Sequence, residues 1–250
     1  MGKVQIGRLV FGEGVPKICV PLVGEGIPAI IAEMKAAFAL PVDLLEWRMD
    51  YFFDDPKAAL PHICEEKGDY PLIATLRTAH DGGRADMAYD VYGETLCSVL
   101  DQSGMEAIDI ELSAGEAIIG PLVKKARDKH VSVILSKHDF HKTPSRAEMV
   151  ETLKRVKELG ADLPKIAVMP QSRRDVLALL EASLEADELF GPVVAISMGD
   201  LGKISRVSGG CFGSAMTFAA GAAASAPGQL SAEDIAAILQ DLSGTGDRRA

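Results

Sequence analysis

Eight times along the chain from Lys17 onward, a short segment rich in β-branched and apolar residues gives way to a longer stretch of helical period. Parallel strands need crossovers of a dozen or more residues, usually a helix, so this alternation restricts the chain to architectures with a parallel sheet covered by helices. The strand segments are 18–23, 43–50, 72–77, 107–112, 131–138, 163–169, 193–198 and 211–218. Helical period is clear over 29–39, 85–100, 116–129, 145–159, 172–186 and 231–242. Thr143-Pro144-Ser145 signals one helix start, and Ser231 with Asp234 three residues on signals another. A (β/α)8 TIM barrel, which takes about 250 residues, accommodates eight such units. An open doubly wound sheet is the alternative, but no GxGxxG follows the first strand segment to favour it. Alternation over 4–11 predicts an added N-terminal strand pair covering the bottom of the barrel.

The 250 residues, 48% hydrophobic, suffice for one large core, and the chain reads as a single barrel domain over 1–250 with 243–250 as a tail. A formal net charge of −10 repels nucleic-acid phosphates and anionic membrane surfaces, so neither is an expected partner. Cys19, Cys64, Cys97 and Cys211 lie far apart without a CxxC pair, which gives neither a zinc site nor a redox motif. They are expected to be reduced thiols, mostly core filler, in a cytoplasmic protein. The N-terminus lacks the basic and apolar regions of a secretion signal. The weakly polar run 211–226 falls short of the roughly 20 apolar residues of a membrane span.

Side chains two apart on a strand share a face. In "DLLEWRMD", Leu45, Trp47 and Met49 therefore oppose Glu46, Arg48 and Asp50. Thr75 and Arg77 oppose Ala74 and Leu76, Asp109 and Glu111 oppose Ile108 and Ile110, and Lys165 opposes Ile166. On an antiparallel sheet such charged faces would simply meet water. In a barrel they converge near the C-terminal strand ends, where barrel enzymes build their sites, and must pair or act because isolated buried ions are costly. Glu46 with Arg48, and Asp109 with a neighbouring cation, are candidate structural pairs.

Lys165 lies in "LPKIAVMP" on the inward face. A lysine shifted toward its free amine by burial and nearby cations can attack a ketone and form a Schiff base; the competing reading is a stem that snorkels to the rim and pairs with a carboxylate. His138 ends the preceding strand, within reach for moving a proton on a bound substrate. His141, among Asp139, Lys142 and Thr143, reads as solvent-facing, and His62, His80 and His130 as structural. An aldolase would share the lysine, and a non-catalytic barrel binding a polyol acid would share the pocket.

The stretches "EWRMDYF", "ATLRT", "DIEL", "SKHDFHKTP", "PKIAVMP", "GKISRVSGGCFGSAMTF" and "ASAPGQLS", in this order, closely resemble the type I 3-dehydroquinate dehydratases. Singly each motif is weak; the ordered set spans nearly the whole chain. The resemblance implies a (β/α)8 barrel, a homodimer, no metal and no organic cofactor, and a lyase of the shikimate pathway converting 3-dehydroquinate to 3-dehydroshikimate. It implies that Lys165 forms an imine at the substrate's C3 ketone, and that His138 removes a C2 proton and then protonates the departing C1 hydroxyl. By the same resemblance Glu46, Arg48 and Arg77 bind ring hydroxyls; Arg206, Ser225 and Gln229 bind the carboxylate; Met198 and Phe218 line an apolar wall; and "SAPGQ" is a mobile lid. The chain departs from the family pattern at three positions. Asp81 stands where a glutamate usually orients the histidine, Ile196 where methionine is frequent, and Lys137 where an aromatic precedes "HDF". On parity Lys137 faces the helix layer.

Overall fold

A computed structural model describes residues 2–221 and 226–243. Its first element is the expected strand pair: β1 (Val4–Ile6) and β2 (Leu9–Phe11) are antiparallel, joined by a tight turn in which Gly7 takes a φ of 55°. Alternation puts Ile6 and Phe11 on one face, and both are fully buried. They pack with Cys19, Leu44, Ile73, Ala107, Ile134 and Leu163, the inward residues at the strand starts. The hairpin is therefore the floor of the barrel. Burial of two such side chains contributes about 1.5–3 kcal/mol each.

Eight parallel strands follow: β3 (Lys17–Leu22), β4 (Leu44–Arg48), β5 (Leu72–Thr75), β6 (Ala107–Glu111), β7 (Ser132–Asp139), β8 (Leu163–Val168), β9 (Val194–Ser197) and β10 (Met216–Phe218). They pair in the order β10-β3-β4-β5-β6-β7-β8-β9. The ring closes at the β9/β10 seam by a bridge between Val193 and Ser214, where the Ala215 N–H donates to the Val193 carbonyl at 2.8 Å. The Ser214 hydroxyl splints this seam by accepting from the Ala195 N–H at 3.1 Å. The fold is thus the expected TIM barrel, not an open sheet.

The helices are α1 (Ile27–Ala37), α2 (Pro56–Glu66), α3 (Tyr89–Val99), α4 (Glu116–Asp128), α5 (Arg146–Glu158), α6 (Arg173–Phe190), α7 (Gly199–Ser208) and α8 (Ala232–Leu242). Both expected start signals act as caps: Ser145 forms a capping box with Glu148, and the Ser231 hydroxyl accepts from the Asp234 N–H at 3.1 Å. Outward-facing Leu45, Trp47, Ala74, Ile108 and Leu135 pack against the helix layer.

Two boundaries differ clearly from expectation, and two helices were not anticipated. β10 begins at Met216 rather than Cys211, because Gly209–Phe212 form a 3-10 turn. Gly213 then turns at a φ of 83°, where an added Cβ would lie 2.3 Å from the Asp187 side chain. α3 begins at Tyr89 because Ala85 is drawn into an extended bridge with Thr78. α2 and α7 lack clear helical period, the first because Pro61 interrupts it and the second because glycines occupy two of its positions. The cysteine expectation also needs correction: only Cys19 is buried, Cys64 and Cys97 are half-buried, and Cys211 is exposed. Among the described residues no helix is long and apolar enough to cross a membrane. The expected tail, Ser243 apart, lies outside the described residues.

Candidate active site

The upper interior of the barrel is ionic because β4, β5, β6 and β8 each turn a charged residue inward there. β4 supplies Glu46 and Arg48 because Trp47 between them is committed to the helix layer. Glu46 accepts from the Thr75 hydroxyl at 2.9 Å and lies 3.7 Å from Lys165 Nζ. The Glu46–Arg48 pairing anticipated from the sequence does not form. Arg48 instead makes a bidentate pair with Asp50, both bonds 2.7 Å, and lies over the Tyr51 ring. Arg77, just past β5, donates to Asp109 at 2.7 Å, to Glu111 at 3.1 Å and to the Ser136 hydroxyl at 3.0 Å.

Lys165 sits beside this network, only 4% exposed, with Nζ 2.9 Å from Asp109 Oδ2 and 4.6 Å from the Phe218 ring centroid. Of the two surroundings weighed from the sequence, the lysine meets the carboxylates, Asp109 and Glu46, while staying buried instead of reaching the rim. Burial alone would raise the Asp109 carboxyl, but Arg77 and Lys165 hold it well below the usual carboxylate range. Burial likewise works against the charge on Arg77, and Asp109 and Glu111 more than compensate, so its guanidinium is held above its ordinary value.

The β7–β8 register pairs Ser136 with Lys165 and His138 with Ala167, so His138 stands one inward step above the lysine on the neighbouring strand. Its Nδ1 is 3.6 Å from Asp81 Oδ2, and its backbone N–H donates to the same oxygen at 3.3 Å. The ring stacks on Phe140. Burial, then the Arg77 and Lys165 cations, lower the His138 imidazole to about 3, against the opposing pull of Asp81 and Asp109. Burial would raise Asp81, yet His138, Lys137 and Arg77 hold it at about 2. Despite its shorter side chain, Asp81 faces the imidazole directly. His141 is exposed in the following turn, its N–H donating to Asp139 at 2.9 Å.

The opposite wall comes from α7 and the segment after β10. Gly202 lets α7 lie directly on β9, where a Cβ would stand 2.2 Å from the Ser197 carbonyl oxygen. This approach buries Arg206 to 2% exposure. Its guanidinium donates to the Phe218 carbonyl at 3.3 Å and to the Pro227 carbonyl at 2.9 Å, while Nε has no partner among the described residues. No carboxylate pairs with it among those residues, and burial lowers it to about 10. Met198 caps the start of α7 and is buried.

These walls enclose a cleft of ≈ 550 Å³ at the C-terminal ends of the strands. It is lined by Glu46, Arg48, Arg77, Asp81, His138 and Lys165 on one side and by Met198, Arg206, Phe218 and Gln229 on the other. Ser225, the first residue of the expected lid, lies outside the described residues. The described part of that segment is anchored: the Gly199 N–H donates to the Pro227 carbonyl at 3.2 Å, and Gly228 takes a φ of 76° against Gly199.

Two side chains near the site went unremarked or were set aside in the sequence. Ser113, in the 3-10 turn after β6, donates to Asp81 Oδ1 at 2.9 Å. Lys137 starts outward from β7, as parity requires, but its Nζ curls back to within 2.7 Å of the Ser113 hydroxyl and 3.8 Å of Asp81 Oδ1. No local pattern announces this contact, which joins the turns after β5 and β6 to strand β7.

A closed ring of parallel strands with a polar cleft at its C-terminal mouth defines the class: this is a (β/α)8-barrel enzyme. Comparison with known proteins narrows the class to one line of descent. Residues 18–245 match the model of type I 3-dehydroquinase, and the chain belongs to that family. The 3-dehydroquinate dehydratase of Clostridioides difficile is 42% identical over 96% of this chain and 97% of its own length. That of Bacillus licheniformis is 43% identical over 96% of this chain and 97% of its own. A crystal structure of the Clostridium difficile type I enzyme with covalently modified comenic acid superposes with a TM-score of 0.92 at 40% identity, covering 98% of this chain and 99% of that one. The Geobacillus kaustophilus 3-dehydroquinate dehydratase superposes at 0.93 with 32% identity, covering 98% of each chain.

Proposed function

We propose that this chain eliminates water from 3-dehydroquinate to give 3-dehydroshikimate through a Schiff base on Lys165, a hydro-lyase step of the shikimate pathway. The observation that carries the reading is one cleft lined by a buried lysine, an imidazole one strand step above it, and a buried guanidinium with no carboxylate partner among the described residues. A buried cation without a counter-ion is a docking point for an anion, which suits the substrate carboxylate on Arg206 with Gln229 and Ser225 beside it.

With the carboxylate anchored, the C3 ketone meets Lys165. The Lys165 amine adds to the carbonyl, the proton its nitrogen gives up passes to the carbinolamine hydroxyl, and departure of that hydroxyl as water leaves a protonated imine. The iminium draws electrons from the adjacent C–H bond. His138, neutral and backed by Asp81 at Nδ1, takes the C2 proton on Nε2 and leaves an enamine. It returns that proton to the C1 hydroxyl, which departs as water while the double bond forms, and hydrolysis of the imine frees product and lysine. Glu46, Arg48 and Arg77 orient the ring hydroxyls. Asp50 and the Asp109–Glu111 pair hold the two guanidiniums, so orientation requires little further ordering. Met198 and Phe218 shield the enamine from water.

The chain works as one barrel domain in the cytoplasm, which accords with the absence of disulfides among the described cysteines. Its assembly is a homodimer, for which exposed Leu177 on α6 and Leu201 and Ile204 on α7 offer apolar contact. The test is incubation with 3-dehydroquinate, followed by the absorbance of the conjugated enone, and borohydride trapping with peptide mass spectrometry. Enone formation and an adduct on Lys165 are expected, with His138→Ala still trapping but turning over about 10²-fold or more slower. Absence of enone would overturn the dehydratase, and an adduct elsewhere would overturn the lysine assignment.

A further inference from the structure

We propose that Lys137 is a positioning residue for His138, acting with Ser113 to pin one oxygen of the Asp81 carboxylate so that the other faces the imidazole. This rests on His138 being the proton carrier of the dehydration. A lysine can only donate hydrogen bonds, so the 2.7 Å contact makes Ser113 Oγ an acceptor from Lys137 and directs its own proton to Asp81 Oδ1 at 2.9 Å. The ammonium lies 3.8 Å from the same oxygen. Oδ1 is thereby fixed by a hydroxyl and a cation, and rotation of the carboxylate, which would exchange its oxygens, is blocked. Oδ2 is left to the His138 backbone N–H at 3.3 Å and to Nδ1 at 3.6 Å.

The arrangement suits an acid with the shorter side chain. Asp81 is fully buried, whereas the Lys137 side chain is 38% exposed, so the cation reaches the carboxylate from the rim without entering the cleft. The groups bearing on Asp81 are His138 and Lys137 from β7, Arg77 from the end of β5, Glu111 from β6 and Tyr89 from α3. Those bearing on His138 are Asp81, Arg77, Lys165 and Asp109. Removing Lys137 subtracts one positive charge from this set, on the side where the carboxylate stabilises imidazolium. Protonated His138 then becomes easier to form, and since the base must be neutral, the acid limb of activity moves to higher pH.

The test compares Lys137→Met, Lys137→Arg and Ser113→Ala by steady-state kinetics across pH, with borohydride trapping alongside. Lys137→Met is expected to lower kcat about 10-fold, a fraction of the 10²–10⁴ of general acid–base catalysis, with KM changed less than about 2-fold. Its acid limb should shift upward, and Lys165 should still trap. Lys137→Arg should restore both kcat and the limb, and Ser113→Ala should lower kcat as the methionine variant does. An unmoved acid limb in Lys137→Met, or a loss that arginine does not restore, overturns the role of Lys137. Failure of the unsubstituted protein to trap substrate would instead overturn the Schiff-base reading on which the inference rests.

Discussion

The two walls of the cleft bury their arginines in opposite ways. Arg77 is enclosed by Asp109, Glu111 and Ser136, so its charge is balanced before any ligand arrives. Arg206, equally withdrawn from water, meets among the described residues the backbone carbonyls of Phe218 and Pro227 and no carboxylate. Burial works against both charges, but Asp109 and Glu111 hold the first guanidinium above its ordinary value, whereas burial lowers the second to about 10. The difference teaches that burial of charge does not by itself mark a binding group. A neutralised network stabilises the barrel mouth and fixes geometry, whereas the uncompensated cation is the one whose environment improves when an anion binds.

That contrast can be broken most directly at Arg77. Arg77→Met takes a cation from two buried carboxylates, leaving Asp109 to Lys165 and Glu111 with no cationic partner among the described residues, and losing one partner of a buried pair costs about 3–5 kcal/mol. Urea unfolding near neutral pH should register a loss of that order, shrinking in acid as Asp109 and Glu111 become protonated. Arg206→Met should behave differently. It gives up two carbonyl hydrogen bonds but relieves an unpaired buried charge, so stability should change by less than about 1 kcal/mol. Substrate would lose charge-assisted bonds of about 1.5–3 kcal/mol, raising KM about 10- to 100-fold. A stability loss at Arg206 equal to that at Arg77 would erase the distinction between the walls.

Much of this arrangement was legible in the sequence because strand parity is a local rule. Trp47 between Glu46 and Arg48, and Ile110 between Asp109 and Glu111, determine which residues enter the barrel. Chain order makes β7 and β8 neighbours, and hence His138 and Lys165. Which carboxylate meets which cation depends on the register between strands and on side-chain length, and here the reading was only half right: Arg48 turned to Asp50 instead of Glu46, whereas Asp109 met neighbouring cations as anticipated, in Arg77 and Lys165. Lys137 shows the same limit from the other side. Parity sends its stem toward the helices, but four methylenes return the ammonium to Asp81 through Ser113, a contact that exists only once the turns after β5 and β6 are stacked beside β7 at the barrel mouth. That no carboxylate pairs with Arg206 among the described residues is a property of what fails to surround it, which no motif records.

The histidine pair that shares one short stretch extends the contrast between the walls to pH, with an effect that is small near neutrality and grows only in acid. His138 is held to about 3 first by burial and then by Arg77 and Lys165, whereas an unfolded histidine titrates near about 6.5. Between those values the unfolded chain binds a proton that the folded chain refuses, so stability falls as pH drops from 6.5 toward 3, with a slope approaching ~1.4 kcal/mol per pH unit from this group. Asp81, lowered from 3.8 to about 2, contributes stability that is present above the first value and lost on approach to the second. Its effect therefore adds in the same direction but at lower pH. Urea titrations should show His138→Gln flattening the decline above pH 4, while exposed His141→Ala leaves both the decline and the turnover within about 2-fold of the parent. A profile flattened by the His141 change and untouched by the His138 change would mean that the proton sensitivity of the mouth lies outside the Asp81–His138 pair, and the electrostatic account of that wall would have to be rebuilt around Asp139 and the turn it caps.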